Sequence, residues 1–164
     1  MGSILYLHTV PPCGGDTLFA SQYAAHDALS PRMKACLDGL TATHSGDHVY
    51  HRDNALMGIA ETGKVYPRAP HPIVRTHPMT KRKALFVNRH FTTHIDGVPE
   101  DESRATLNYL FDHSMREEFQ VRFRWQSHSV AFWDNRSVQH LALWDYYPQV
   151  RSGRRVTIKG DRPR

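Results

Sequence analysis

One alternating stretch decides the fold class of this chain: Phe119-Gln120-Val121-Arg122-Phe123-Arg124-Trp125. Apolar and polar residues exchange at every position, which is the period of a β-strand with one face on the core. The aromatic and valine side chains are expected to point inward, and the glutamine and arginine side chains outward. The stretch therefore predicts a half-buried strand of a β-rich domain.

Further short strand-like segments lie on both sides of this stretch, at residues 4–9, 17–20, 83–88, 129–134 and 154–159. Helices are predicted from Ser21 to Leu29, from Pro31 to Leu37 with Ser30 as the N-cap and Gly39 as the end, and over 99–114. Residues 67–78 read as extended, while residues 41–66 show no period and are interpreted as a lid or an insertion. Many short strands with two or three helices predict a mainly β, α+β fold, a sandwich or jelly roll with helices outside.

Length and composition limit the possible classes of protein. At 164 residues the chain is one domain, 1–164, or part of a larger one. No apolar run reaches the roughly 18 residues that a membrane span needs, so no membrane association is expected. Two cysteines are too few for a disulfide scaffold or a cysteine zinc site, and a reducing cytoplasm is the default.

The charge of the chain leaves two kinds of partner open. The net charge is +5 and the pI is about 9.4, which would suit a nucleic-acid binder. The basic residues are spread along the chain, and no recognition motif accompanies them. A site for small anions would raise the pI equally well, so a small anionic molecule is the favoured partner and nucleic acid is not expected.

The chemistry of the chain is concentrated near its C-terminus, in Trp133-Asp134-Asn135-Arg136-Ser137-Val138-Gln139-His140. His140 ends a strand-like segment, and Arg151 and Arg155 follow on what reads as the next strand. A guanidinium binds a carboxylate through two parallel hydrogen bonds, and an imidazole is a common metal ligand. A non-haem iron(II) site needs two histidines and a carboxylate. The stretch therefore predicts half of a metal and anion site.

Four segments together resemble the taurine dioxygenase (TauD/TfdA) family: Gly14-Gly15-Asp16-Thr17-Leu18-Phe19, the alternating stretch above, Trp133 to Arg136 with Gln139-His140, and Arg155-Val156-Thr157-Ile158 followed by Gly160-Asp161. The resemblance covers nearly the whole chain in the right order. It implies a double-stranded β-helix (jelly-roll) core, iron(II), 2-oxoglutarate as co-substrate and O2. It also implies hydroxylation of a carbon next to a sulfonate, sulfate ester or ether oxygen.

The resemblance implies a role for five residues. His140 matches the distal iron-ligand histidine, and Thr17 with Arg151 match the pair that holds the far carboxylate of 2-oxoglutarate. Arg155 matches an arginine that contacts the anionic group of the substrate. Phe91 lies in a segment that approaches the substrate pocket, although core packing is an equal alternative. No catalytic acid or base is predicted.

The chain departs from the family at the first two iron ligands, a His-x-Asp or His-x-Glu pair upstream of the Gly-Gly-Asp-Thr segment. This sequence begins shortly before that segment, so we expect an N-terminally truncated jelly roll with exposed sheet edges. The pairs His51-Arg52-Asp53 and His94-Ile95-Asp96 are interpreted as chance matches on the surface or in loops.

The sequence thus favours an iron(II)- and 2-oxoglutarate-dependent dioxygenase acting on a small anionic organic substrate, such as a taurine-like alkylsulfonate or an alkyl sulfate. This truncated chain is expected to be poorly active by itself. The alternative is a non-catalytic remnant or assembly module of the same fold. A homodimer or homotetramer is compatible with either hypothesis.

Overall fold

The computed structural model describes residues 1–60 and 63–160, except for the side chain of residue 53. The strands are β1 Gly2–Thr9, β2 Thr17–Ser21, β3 Thr41–Ser45, β4 Arg68–Pro72, β5 Val74–Thr76, β6 Lys83–Leu85, β7 Thr92–Ile95, β8 Gln120–Phe123, β9 Val130–Asp134, β10 Val138–Ala142 and β11 Ser152–Thr157. The helices are α1 Gln22–Asp27, α2 Pro31–Leu37, α3 Asp47–Leu56 and α4 Glu100–Ser114, with a 3-10 turn at Glu117–Phe119.

Two antiparallel three-stranded sheets build the part of the fold that positions the site. Their strand orders are β11-β1-β9 and β10-β2-β8. Side chains from both sheets form one core around Leu7, Trp125, Ala131 and Trp133, with Phe19 packed against it. The expected mainly β architecture with packed sheets is therefore confirmed.

The helices cover a second core beside these sheets. Strands β4-β3-β7 and the β5-β6 hairpin pack with α1, α2 and α4 around a larger apolar cluster: Ala25, Leu29, Leu37, Ala42, Ile73, Leu85, Val87, Ile95, Leu107, Leu110 and Phe111. The predicted start of α2 is confirmed, because the Ser30 hydroxyl accepts a hydrogen bond from the Met33 backbone N–H at 3.2 Å and Pro31 is the first helical residue. Gly39 follows the helix with a φ of 76°.

The interpretation of residues 41–66 as irregular is wrong for the part that forms β3 and α3, and residues 61 and 62 of this range lie outside the described residues. The helix was hidden because its sequence is polar and Val49 is its buried hydrophobic residue, so no apolar period marks it. The Ser45 hydroxyl accepts a hydrogen bond from the Asp47 backbone N–H at 3.2 Å where the helix begins. Strand β6 is also shorter than predicted and ends at Leu85.

The alternating stretch contains strand β8, which is shorter than predicted because Phe119 belongs to the 3-10 turn and the strand ends at Phe123. The prediction of its inward face is only partly correct. Trp125 is buried, whereas Val121 is 61% exposed. Strand β8 lies at the edge of its sheet, where packing from a neighbouring strand is missing on one side. His140 lies in the middle of β10 and does not end a strand.

The outer face of the β11-β1-β9 sheet is apolar and exposed. Phe132 and Val156 lie on either side of Ile4 in the register of the three strands. Phe132 is 67% exposed and Val156 is 61% exposed, which gives this face an apolar patch of the kind that marks a contact surface. Among residues 1–60 and 63–160, no helix is long and apolar enough to cross a membrane.

Candidate functional site

A cavity of about 970 Å³ opens where β10 and β11 approach the helical part of the fold. Three of the five predicted site residues line it: His140, Arg155 and Phe91. Thr17 and Arg151 lie next to it, because Thr17 pairs with Ala142 on β10 and Arg151 directly precedes β11. The structure thus gathers the predicted residues around one end of the two-sheet core.

The side chains of Thr17, Arg151 and Trp125 form a compact hydrogen-bonded group. The Thr17 hydroxyl oxygen accepts one hydrogen bond from Trp125 Nε1 at 3.0 Å and another from Arg151 Nη2 at 3.3 Å. The guanidinium lies 5.5 Å from the centre of the Trp125 ring. A hydroxyl has one hydrogen to donate and two lone pairs, so Thr17 can still donate its hydrogen to a third partner.

Arg151 supplies a second free donor at the same place. Its Nε is buried and has no hydrogen-bond partner among the residues that the structure describes. A buried donor without a partner costs roughly 1–3 kcal/mol, and the cost is removed if an acceptor binds there. A carboxylate fits both free donors, because its oxygens can accept from the guanidinium and from the threonine hydroxyl.

The Gly14-Gly15 turn is what allows the chain to bring this group together. Both glycines have positive φ, 74° and 70°, a conformation that favours glycine. A Cβ on Gly15 would lie 3.1 Å from Arg151 Cδ, and one on Gly14 would lie 2.7 Å from the Asp145 carbonyl oxygen. The Gly15 N–H donates to Asp145 Oδ1 at 2.8 Å, and this hydrogen bond lowers the pKa of Asp145.

His140 is held against aromatic rings at the edge of the cavity. Its ring centre lies 4.8 Å from that of Trp133 and 6.4 Å from that of Phe19, its partner on β2. The residue is exposed and lines the cavity. Partial burial of the ring and, secondarily, the positive charge of Arg155 lower the pKa of His140. The neutral imidazole that a metal ligand must be is therefore favoured.

Arg155 is on β11, opposite Leu5 of β1. Its Nη2 donates to Ser3 Oγ at 3.0 Å, and its guanidinium lies 5.6 Å from the centre of the Trp133 ring. The Trp133 side chain therefore contacts both Arg155 and His140. A cation and an imidazole meet at one wall of the cavity, where an anion could be bound beside a histidine.

The described residues do not assemble a complete iron site. No group of three or more histidine, cysteine, aspartate or glutamate side chains that could hold a metal ion occurs among them. Both Asp96 carboxylate oxygens accept hydrogen bonds at 2.6 Å, from the Thr41 and Thr43 hydroxyls. His94 and Asp96 do not line the cavity, and the Asp53 side chain of the other pair lies outside the described part.

Aromatic and histidine side chains form the far wall of the cavity. Phe91 lies 6.2 Å from Tyr50, which stacks on Tyr66 at 4.9 Å between ring centres. His44 stacks on Phe86 at 5.7 Å. Burial, with a smaller contribution from the charge of His71, lowers the pKa of His44 to about 4.

Sequence reasoning missed several of these residues. Trp125 was predicted as a core residue, and its Nε1 hydrogen bond to Thr17 could not be read from the alternation that marked it. Ser3 carries no pattern of its own, and Asn135 lies in the Trp133-to-Arg136 segment that carries the resemblance without a role predicted for it. Tyr50 and His44 lie in the region that showed no period, so their place in the cavity wall had no signal in the sequence.

The two facing antiparallel sheets, with the site at one end between them, define the jelly-roll class of protein. The chain belongs to the taurine catabolism dioxygenase TauD, TfdA family, whose profile matches residues 1–157. The resemblance proposed from the sequence motifs is thereby confirmed.

Relatives with assigned names cover this chain almost completely. It is 46% identical over 158 residues to a Schizosaccharomyces pombe protein named as a candidate alpha-ketoglutarate-dependent sulfonate dioxygenase, covering 94% of this chain and 39% of that protein. It is 37% identical to the alpha-ketoglutarate-dependent sulfate ester dioxygenase of Pseudomonas putida, covering 98% of this chain and 56% of that protein. The chain thus spans roughly two-fifths to a little over half of these relatives.

Solved structures show the same fold. A taurine dioxygenase from Burkholderia xenovorans superposes with a TM-score of 0.85 at 38% identity, covering 99% of this chain and 54% of that one. AAD-2, solved in complex with Mn(II) and N-oxalylglycine, superposes with a TM-score of 0.84 at 31% identity, covering 99% of this chain and 64% of that one.

Proposed function

We propose that this chain carries the 2-oxoglutarate clamp and the substrate-anion contact of an iron(II)- and 2-oxoglutarate-dependent dioxygenase. The substrate is a small anionic organic molecule, a sulfonate, a sulfate ester or a close analogue. The observation that carries the proposal is the group of Thr17, Arg151 and Trp125, with two donors left for a carboxylate. The dioxygenase names of the relatives support the same activity.

The roles proposed for the chain's own residues are those that the family resemblance implies, and the contacts around Thr17, Arg151 and Arg155 support them. Arg151 and Thr17 bind the far carboxylate of 2-oxoglutarate, and the apolar ring of Trp125 keeps water away from that charge pair, which strengthens it. His140 provides one neutral imidazole ligand. Arg155 binds the anionic group of the substrate at the same wall of the cavity, and Phe91 contacts its organic part.

Iron(II) and O2 supply the oxidation chemistry in this class of enzyme. The described residues fit the co-substrate but contribute only His140 of the predicted metal ligands. The free, exposed cysteines Cys13 and Cys36 suit a reducing cytoplasm, which we propose as the location of the protein. We also propose that the assembled enzyme is a homodimer or a homotetramer.

Calorimetric titration of the purified chain with 2-oxoglutarate tests the proposal. We expect saturable binding that Arg151→Gln weakens at least tenfold. Arg154→Gln is the matched control, because Arg154 is exposed on the adjoining strand β11, opposite Tyr6, and it should bind like the wild type. Equal affinities in the wild type and Arg151→Gln would overturn the assignment.

A further inference from the structure

The side-chain amide of Asn135 joins two parts of the site wall. Its Oδ1 accepts a hydrogen bond from Trp133 Nε1 at 2.9 Å, and its Nδ2 donates to Ser3 Oγ at 2.9 Å. Its backbone N–H donates to the Met1 carbonyl at 2.8 Å. Because the oxygen and nitrogen ends of the amide have different partners, only one orientation of the amide satisfies both.

Ser3 links Asn135 to Arg155 by hydrogen bonds. Its hydroxyl oxygen accepts from Asn135 Nδ2 and also from Arg155 Nη2 at 3.0 Å. Ser3 is completely buried in the middle strand β1, so its position is fixed by the sheet. Among the described residues it is the one hydrogen-bond partner of the Arg155 side chain.

Trp133 completes the connection on the other side. Its indole contacts the His140 ring at 4.8 Å between centres and the Arg155 guanidinium at 5.6 Å. A cation near an indole is attracted by the ring, so a rotation of Trp133 would move the preferred place of the guanidinium. The hydrogen bond from the Trp133 indole N–H to Asn135 Oδ1 would resist this rotation.

We propose that Asn135 is a positioning residue that sets the separation between Arg155 and His140. It orients Ser3 and Trp133, and these two side chains hold the guanidinium beside the imidazole. The inference rests on the proposed function, in which Arg155 binds the substrate anion. The position of the anion relative to His140 is then determined by Asn135 through its hydrogen bonds with Ser3 and Trp133.

Nitrogen-15 spectra of the full chain without ligand test the positioning directly. In Asn135→Ala we expect the Trp133 indole and Arg155 Nε–H signals to shift, while the Trp144 indole signal stays in place. Asn108→Ala on the exposed side of α4 is the control and should change none of the three. Wild-type Trp133 and Arg155 signals in a folded Asn135→Ala would overturn the proposal.

A titration with ethanesulfonate separates positioning from a general structural role. We expect Asn135→Ala to weaken ethanesulfonate binding five- to tenfold and to leave 2-oxoglutarate binding within twofold, whereas Arg155→Ala abolishes the former. An equal loss of both affinities would show a merely structural role and would overturn the proposal.

The conservative variant guards against misfolding. Asn135→Asp keeps the acceptor for Trp133 Nε1, so its Trp133 signal should stay near the wild-type position, while the new carboxylate near Arg155 weakens ethanesulfonate binding. Wild-type ethanesulfonate affinity in Asn135→Asp would contradict the role of Asn135. If the wild-type chain binds no ethanesulfonate, the substrate role of Arg155 fails instead, and the ligand-free spectra still decide the positioning.

Discussion

Arg151 Nη2 donates a hydrogen bond to Thr17 Oγ1 at 3.3 Å, although the two residues are far apart in the sequence. The contact links β2 of one sheet to the start of β11 in the other. Each residue keeps a donor for a further partner, and the two donors together match one carboxylate. This relationship is the basis of the proposed co-substrate site.

Thr17→Val should impair both stability and co-substrate binding. The variant keeps the branched shape but removes the acceptor of Trp125 Nε1, which leaves a buried donor unpaired at a cost of roughly 1–3 kcal/mol. We expect 2-oxoglutarate binding to weaken about tenfold, because the hydrogen bonds of the Thr17 hydroxyl with Trp125 and Arg151 disappear. Urea unfolding and calorimetry measure the two effects. Thr76→Val, at an exposed strand position, should change neither, and an unaffected Thr17→Val would contradict the clamp.

Gly15→Ala should cost more stability than Gly39→Ala. Both glycines have positive φ, so both variants suffer a backbone cost of roughly 1–2 kcal/mol. A Cβ at Gly39 meets nothing within 4 Å, whereas one at Gly15 lies 3.1 Å from Arg151 Cδ. The free energy of unfolding should therefore fall further in Gly15→Ala than in Gly39→Ala, and Gly15→Ala should also bind 2-oxoglutarate more weakly. Both differences would be due to the close approach to Arg151. Equal losses in urea unfolding would show that the approach carries no cost.

Stability should fall as the pH is lowered from about 6.5 towards 4. The pKa of His44 is lowered to about 4 in the folded chain from 6.5, so the unfolded chain binds more protons in this window and acid favours unfolding. Burial lowers the pKa of His26 as well, with the same sign. His44 should contribute roughly 1–3 kcal/mol.

Urea unfolding at pH 7.5, 6.0 and 5.0 checks this dependence. His44→Gln should flatten the decline, and His48→Gln, at an exposed position of α3, should not. A decline as steep in His44→Gln as in the wild type would show that His44 is not its cause.

The purified chain should produce little succinate from 2-oxoglutarate with iron(II) and O2. The described residues contain no group of three metal-ligating side chains, and a single imidazole holds iron weakly. An assay of succinate against a metal-free blank measures this. Robust iron-dependent turnover would mean that ligands beyond His140 do come together in this chain.

The sequence predicted the closeness of Thr17 and Arg151 better than it predicted their surroundings, and their binding of 2-oxoglutarate stays a prediction. That closeness is implied by the family resemblance, which matches Thr17 and Arg151 with the pair that holds the far carboxylate of 2-oxoglutarate. Trp125 was read as a core side chain, because alternation reports burial and not the hydrogen bond of an indole. Strand β3 and helix α3 were not predicted, because no local apolar period marks them. Contacts with the rest of the fold stabilise them instead.

The outer face of the β11-β1-β9 sheet shows a similar limit. The motifs indicate a truncated fold, and such a fold is expected to have exposed sheet edges. Only the structure shows that the exposed side chains include Phe132 and Val156. Their position depends on the register of β1 with its two neighbours, which is set by long-range pairing that no local pattern shows.

The most direct test of the central claim is the indole N–H spectrum of the chain during a titration with 2-oxoglutarate. Trp125, Trp133 and Trp144 are the three tryptophans of the sequence, and Trp125 alone donates to Thr17. We predict that the Trp125 signal shifts most, saturates, and ceases to respond in Arg151→Gln. No shift of Trp125, or a shift that survives in Arg151→Gln, would contradict the claim that Thr17 and Arg151 hold the co-substrate.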